Sequence, residues 1–308
     1  MKKKLLTVVL LLLLATTLES CTASNRLINQ NANDTGTDED YLPDYVFYFE
    51  SSGSSTANPA DPSTEYLSKI SEPKIFSFSS KTKTERPSDA ADQITINING
   101  DSCLLDYGGT YETALSESTD FKYFSKFNLY KTDTIRAYTR GAANELLYFS
   151  NTGEVRSETN GGITESEAKK TADSTLLSLY GEKACQEYTF DEAVYTETEL
   201  IVQYTVIYRK YVWGTPTNDA IQISINTAGK VVAVNAKSLG LFSSAENKLT
   251  KQNIDNAVNI LRDTFSDKWT VGTAMLVLDS KGDYYVSAHL LQPGPEKTDT
   301  MVVYVNVK

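Results

Sequence analysis

His289 is the only histidine in a chain of 308 residues, so any imidazole base would have to be this one. On a strand it alternates to the side of Tyr285, Ser287 and Leu291, opposite Tyr284, Val286, Ala288 and Leu290. A serine or cysteine hydrolase needs its His oriented by a carboxylate beside a nucleophile. No Gly-x-Ser-x-Gly elbow occurs, and His289 reads as an ordinary strand residue. Beyond residue 21 the chain has two cysteines, Cys103 and Cys185, and one His, which do not build a typical zinc site. Phosphate loops, Cys-x-x-Cys pairs and His-Glu-x-x-His are absent. No catalytic residue, metal or cofactor is therefore expected. A Ser–Lys pair or two converging carboxylates needs no His, and proximity of that kind is not written in a sequence.

The better chemistry is contact chemistry. Tyr208, Tyr211 and Trp213, followed by Gly214 and Pro216, put aromatics beside a turn. Large, fairly rigid rings of this kind serve peptide and glycan sites. The same residues also suit plain packing, with Tyr208 facing a helix and Tyr211 and Trp213 covering the edge of a small core. Gln292-Pro293-Gly294-Pro295-Glu296 is a second exposed-turn candidate, although turn chemistry alone explains it.

Cys21 offers the third kind of chemistry. Lys2, Lys3 and Lys4 precede an apolar run, Leu5 to Ala15, and then Leu18-Glu19-Ser20-Cys21. A cationic start, a short apolar core and a small residue before the cleavage point make an export signal. The run is shorter than the roughly 20 residues that span a bilayer as a helix. Ending on Leu-x-Ser-Cys, it resembles a bacterial lipoprotein signal, which implies lipidation of Cys21 as the new N-terminus. An ordinary cleaved signal and an uncleaved anchor from Leu5 to Leu18 are the alternatives. All three place the body outside the cytoplasm, and the lipid places it on the outer face of the membrane.

Composition narrows the partners. Removing residues 1–20 takes Lys2, Lys3, Lys4 and Glu19 from 29 basic and 40 acidic residues. The remaining 26 and 39 give a net charge of −13. Nucleic acid and anionic lipid headgroups both need clustered cations, so neither is an expected partner. Cys103 and Cys185 lie in a compartment that permits a disulfide, yet nothing in the sequence brings them together. Cys103 sits in an apolar strand-like run, where a thiol packs as a small hydrophobe.

The elements that must position these residues follow in order. Residues 21–40 are polar and read as a flexible tether; the acidic Asp38, Glu39, Asp40 and Asp44 read as solvated charge. Residues 41–160 read as a strand-rich N-terminal domain. Tyr45, Phe47 and Phe49 alternate as a strand, and Ser51 to Thr64 reads as a long loop. Ile94, Ile96 and Ile98 alternate into Asn99-Gly100, a type I′ turn signal, which predicts a hairpin over Ile94 to Tyr107. A second hairpin is predicted around Asn151-Thr152-Gly153, between Leu146 and Val155.

Residues 161–245 and 246–308 each read as a helix followed by antiparallel strands. Thr164 and Glu167 have capping-box spacing. Ala168, Ala172, Leu176 and Leu179 recur at helical intervals, with Gly181 as a stop. Val202, Tyr204, Val206 and Tyr208 share one strand face, and Ile221, Ile223 and Ile225 another, before the Ala228-Gly229 turn into Val231 to Val234. Thr250 then opens a helix carrying Ile254, Ala257, Val258, Leu261 and Phe265, and strands follow at Gly272–Leu278, Tyr284–Leu291 and Met301–Val307.

The run Val206-Ile207-Tyr208-Arg209-Lys210-Tyr211-Val212-Trp213-Gly214-Thr215-Pro216, with Ile221 to Ile225 and Gly229-Lys230-Val231, resembles PepSY-type domains. It is also distantly similar to the YycH and YycI type of extracytoplasmic kinase regulators. The expected fold class is α+β, a strand-rich N-terminal domain followed by two helix-on-antiparallel-sheet, PepSY-like modules. The resemblance implies an exported, non-enzymatic binding or regulatory module. Its expected partners are the membrane, through the lipid on Cys21, and an envelope protein or peptide. Binding of cell-wall polymer or a small solute is the alternative, and a carboxylate or Ser–Lys hydrolase a third.

Overall fold

A computed structural model describes residues 81–113, 126–154, 162–197, 201–265, 267, 269–279, 282–293 and 298–307. Cys21, the segments before residue 81, Val155 and residues 294–297 lie outside the described residues. Alternation of apolar and polar side chains produces some strands, and continuous runs buried on both faces produce others, such as Lys126–Lys131 and Ile135–Arg140. The first group is β1 (Lys81–Thr84), β2 (Gln93–Ile98), β3 (Asp101–Thr113), β4 (Lys126–Lys131), β5 (Ile135–Arg140) and β6 (Glu145–Asn151). A 23-residue helix, α1 (Glu165–Glu187), follows. Next come β7 (Tyr188–Glu197), β8 (Val202–Val212), β9 (Thr215–Asn226) and β10 (Val231–Asn235). Two helices, α2 (Ala245–Lys248) and α3 (Lys251–Phe265), precede β11 (Thr270–Val271), β12 (Met275–Leu278), β13 (Tyr284–Pro293) and β14 (Thr298–Asn306).

The expected fold class is corrected here. The strands do not close off as an N-terminal domain and two helix-on-sheet modules. They join into one mixed 14-stranded sheet carrying three helices among the described residues. Two pairings make the joins. β6 accepts β10 as an antiparallel neighbour, with Phe149 opposite Val234 and Tyr148 opposite Asn235. β9 meets β12 in parallel at one register pair, Thr217 opposite Leu276. The physical reason is that a strand left at an edge presents unpaired N–H and C=O groups, and here edges from separate stretches of sequence satisfy each other.

Local signals hold well. Asn99 and Gly100 both have positive φ, 60° and 81°, and turn β2 into β3. Asn99 also mimics a strand: its amide donates to the Val231 carbonyl at 3.0 Å and accepts from the Val231 N–H at 2.8 Å. Three strands, β4, β5 and β6, separate β3 from β10 along the sheet. That contact therefore requires the sheet to curl around α1. The second predicted hairpin has its turn, where the Glu154 N–H donates to the Asn151 carbonyl, and its return arm at Val155 lies outside the described residues.

Thr164 caps α1 as its spacing predicts. Its hydroxyl accepts the Glu167 N–H while the Glu167 carboxylate accepts the Thr164 N–H. Ala168, Ala172, Leu176 and Ala184 face the first core with Ile96, Leu105, Tyr130, Phe149, Val206 and Ile221. Small side chains on that stripe let the helix sit close to the sheet. Gly181 ends the regular helix as its place predicts, at φ 75° and ψ −179°, and a second helical stretch then runs on to Glu187 before β7. Space around Gly181 is open, so the requirement is conformational. Gly181→Ala is expected to destabilise by about 1–2 kcal/mol through the left-handed backbone alone, readable as a lowered denaturation midpoint with an unchanged slope.

A second core lies beyond the β9–β12 join. Ile254, Ala257, Leu261 and Phe265 of α3 pack on Leu276, Val286, Ala288, Leu290, Val303 and Val305, with Leu241 and Phe242 of the connecting segment. Thr250 caps α3 by accepting the Asn253 N–H at 3.2 Å.

Candidate functional site

The three aromatics marked in the sequence go to different places. Tyr208 is buried and faces α1. Its hydroxyl donates to Asp173 of the helix at 2.6 Å, and its ring meets Phe190 edge-on. Burial and the carboxylate beside it hold its phenol protonated well above the usual range. Tyr211 donates to Asp191 Oδ1 at 3.0 Å. Arg209 reaches the same carboxylate, so Tyr211 and Arg209 share the sheet face opposite Tyr208. Trp213 stands at the β8–β9 turn with 46% of its surface exposed, and its indole N–H donates to the Leu249 carbonyl at 2.9 Å.

Two irregularities build the Tyr211 side. The β7–β8 ladder skips Asp191, between Phe190 and Glu192, and the β8–β9 ladder jumps from Arg209–Ala220 to Tyr211–Pro216, so that β9 carries the extra residues, Thr217 to Asp219, opposite Lys210. A bulge re-aims the side chains around it. Here it allows Asp191 to accept from both Arg209 and Tyr211. Arg209 is buried; its Nε donates to Asp191 Oδ2 at 2.6 Å and its Nη1 to the Thr217 carbonyl at 2.8 Å. Glu192 is the next carboxylate along. Burial first, and then the Asp191 charge, raise its pKa, with Arg209 pulling the other way. Lys210 turns to Glu187 at 3.0 Å. Burial pushes the Glu187 carboxyl up, but Lys210 and Lys183 together outweigh it and the group ionises more readily than usual.

Thr217 connects this face to the interior. Its hydroxyl donates to the Lys210 carbonyl at 2.8 Å and accepts the Asp219 N–H at 3.1 Å, while its own carbonyl takes Arg209. Asp219 is wholly buried. It accepts the Tyr188 hydroxyl at 2.8 Å and the Phe242 N–H at 3.2 Å. Burial raises its carboxyl to about 7, against the opposing pull of those two donors, Lys210 and Arg140.

Arg209, Asp191 and Asp219 are the buried and half-buried charged groups for which the sequence reading assigned no place. A signal was present for one of them. Arg209 interrupts an apolar run, Val206-Ile207-Tyr208, at a position whose strand neighbours are buried, and a buried cation implies a buried or half-buried partner. Nothing comparable marks Asp191, whose role depends on a bulge.

The remaining chemistry-bearing residues sit apart. His289 lies on β13 facing away from the second core, and Tyr284, Val286, Ala288 and Leu290 face into it, as the alternation predicts. Gly272 packs against the His289 backbone, donating to its carbonyl at 2.8 Å. Cys103 and Cys185 are unpaired thiols. Cys103 packs at the first core and Cys185 is exposed.

No family model, curated protein or solved structure matches the chain.

Proposed function

We propose that the chain is a non-enzymatic lipoprotein anchored through Cys21 at the outer face of the membrane, where it binds an envelope protein or peptide through the Tyr211–Trp213 hairpin. The observation that carries this reading is the backbone of Trp213. Its φ is 51°, a left-handed conformation that costs a bulky side chain roughly 1–2 kcal/mol. The same chain solves the same problem at Asn99-Gly100 with asparagine, a residue that tolerates that region. A strained ring kept half in solvent is a preorganised contact, and preorganisation reduces the entropy lost on binding. A membrane sensor kinase or an exported protease is the kind of partner this reading has in view.

Trp213→Asn separates contact from architecture. Relief of backbone strain and loss of the indole hydrogen bond, each about 1 kcal/mol, should nearly cancel, so the denaturation midpoint should barely move. Crosslinking in native membranes followed by mass spectrometry should give a reproducible polypeptide partner with the natural chain and lose it with Trp213→Asn. Cys21→Ser should move the chain out of the membrane fraction. A partner recovered equally with Trp213→Asn, or recovery of wall fragments alone, would overturn the reading; the second result favours cell-wall polymer or solute binding.

A further inference from the structure

The segment that joins the two cores, residues 236–245, is held by ionisable side chains from three strands. Arg140 of β5 donates Nη2 to the Leu239 carbonyl at 2.9 Å. The Tyr188 hydroxyl, at the start of β7, accepts the Gly240 N–H at 2.8 Å. Asp219 of β9 accepts the Phe242 N–H. Leu239 belongs to the first core, whereas Leu241 and Phe242 belong to the second. The three contacts therefore fall across the passage from one core to the other.

We propose that the Asp219 carboxyl is a proton-sensitive latch: protonated, it keeps the Leu239–Phe242 segment closed, and ionised, it favours release of that segment toward water. The geometry supplies the reason. In the closed form the carboxyl has no exposed surface, and its polar neighbours are one phenol and one backbone N–H. Opening the segment replaces the Phe242 donor with water for either form, but it gains far more solvation for an anion than for an acid. The charged groups facing it do not abolish this preference. Arg140 of β5 is spent on Glu145 of β6 at 2.5 Å, and Lys210 of β8 on Glu187 at the end of α1. Tyr188 of β7 stays protonated, because burial and the Asp219 charge both raise its phenol. The position of the carboxyl near 7 agrees with that balance.

The sign follows from linkage. A carboxyl whose closed-form pKa lies above its solvated value favours closure below the solvated value, about 3.9. That advantage is lost as pH rises toward the closed-form value, at up to about tenfold per pH unit, and is constant above it. Hydrogen exchange on the full chain reads this directly at the Gly240 and Phe242 amides. After correction for intrinsic exchange, their protection should fall severalfold or more between about pH 5 and pH 7 and then level off. With Asp219→Asn the same amides should show no such slope. Flat protection in the natural chain, or an equal slope in the Asn variant, overturns the latch. Should the variant fail to fold, carbon NMR of the Asp219 carboxyl in the natural chain decides instead. A titration midpoint within about a unit of 7 upholds the proposal, and one near the ordinary value of about 4 overturns it.

Discussion

Arg209→Ala is expected to lower the stability of the chain by about 3–5 kcal/mol, among the largest effects of any single polar substitution in it. The guanidinium is buried and holds Asp191 and the Thr217 carbonyl. Removing it strands a half-buried carboxylate and a buried carbonyl, and breaking one side of such a pair is far more costly than the pair itself is stabilising. Among the described residues Asp191 then keeps the Tyr211 hydroxyl, which does not neutralise it. The companion experiment is Arg209→Met with Asp191→Leu. Removing both charges together should recover most of the loss, since a buried ion pair and an apolar pair of similar volume are often close in stability. Denaturant midpoints across the double-mutant cycle check this. A double variant no more stable than Arg209→Ala would show that the bulges themselves depend on the charges.

Much of the first core was legible because its determinants are local. Asn99-Gly100 turns as its dihedral requirements demand, Thr164 and Glu167 cap α1, and Ile221, Ile223 and Ile225 alternate into the interior. Each of these depends on residues a few positions apart. The assembly was not legible for the opposite reason. The β6–β10 pairing and the Thr217–Leu276 pair join segments far apart in sequence, and periodicity carries no term for which edge meets which. Separate modules and one sheet share the same alternation, strand by strand. Gly181 shows the same limit on a smaller scale. The stop was legible, whereas the second helical stretch beyond it, up to Glu187, depends on where β7 must begin.

The candidate surface was legible in part. Tyr211 and Trp213 do lie toward solvent and the hairpin between β8 and β9 exists, whereas Tyr208 packs under α1. Tyr211 is three residues from Tyr208, so plain alternation already sets the two on opposite faces, with Arg209 and Tyr211 together on Asp191. What the sequence does not announce is the bulge at Asp191 that brings the carboxylate to both. Asp219 was invisible because a carboxylate near a Thr-Pro-Thr-Asn stretch has the composition of a loop, while its burial comes from Phe242 and Tyr188, remote in the chain.

Phe242→Ala should cost about 3–5 kcal/mol and should also split the unfolding transition. The ring is wholly buried in the second core and lies 5.8 Å from Tyr284. Truncation there leaves a cavity whose walls, α3 and β12–β14, are already packed. The split follows from how the two cores are joined. Among the described residues the links between them include one parallel register pair, the Arg209–Met275 contact, the Trp213–Leu249 bond, the Asp219 hold on the Phe242 N–H and Val212 of β8 packed in the second core. Those few links keep the cores cooperative only while each is stable beyond the strength of the links. Weakening the second core by several kcal/mol should let it unfold first, with the first core persisting to higher denaturant. Trp269 packs at the second core and Trp213 is bonded to Leu249 at its border. With Phe242→Ala, tryptophan fluorescence should therefore change ahead of far-ultraviolet circular dichroism, whereas in the natural chain the two should coincide. Coincident curves in the variant would mean that the shared sheet transmits the loss through the Thr217–Leu276 join, making the 14 strands one cooperative unit.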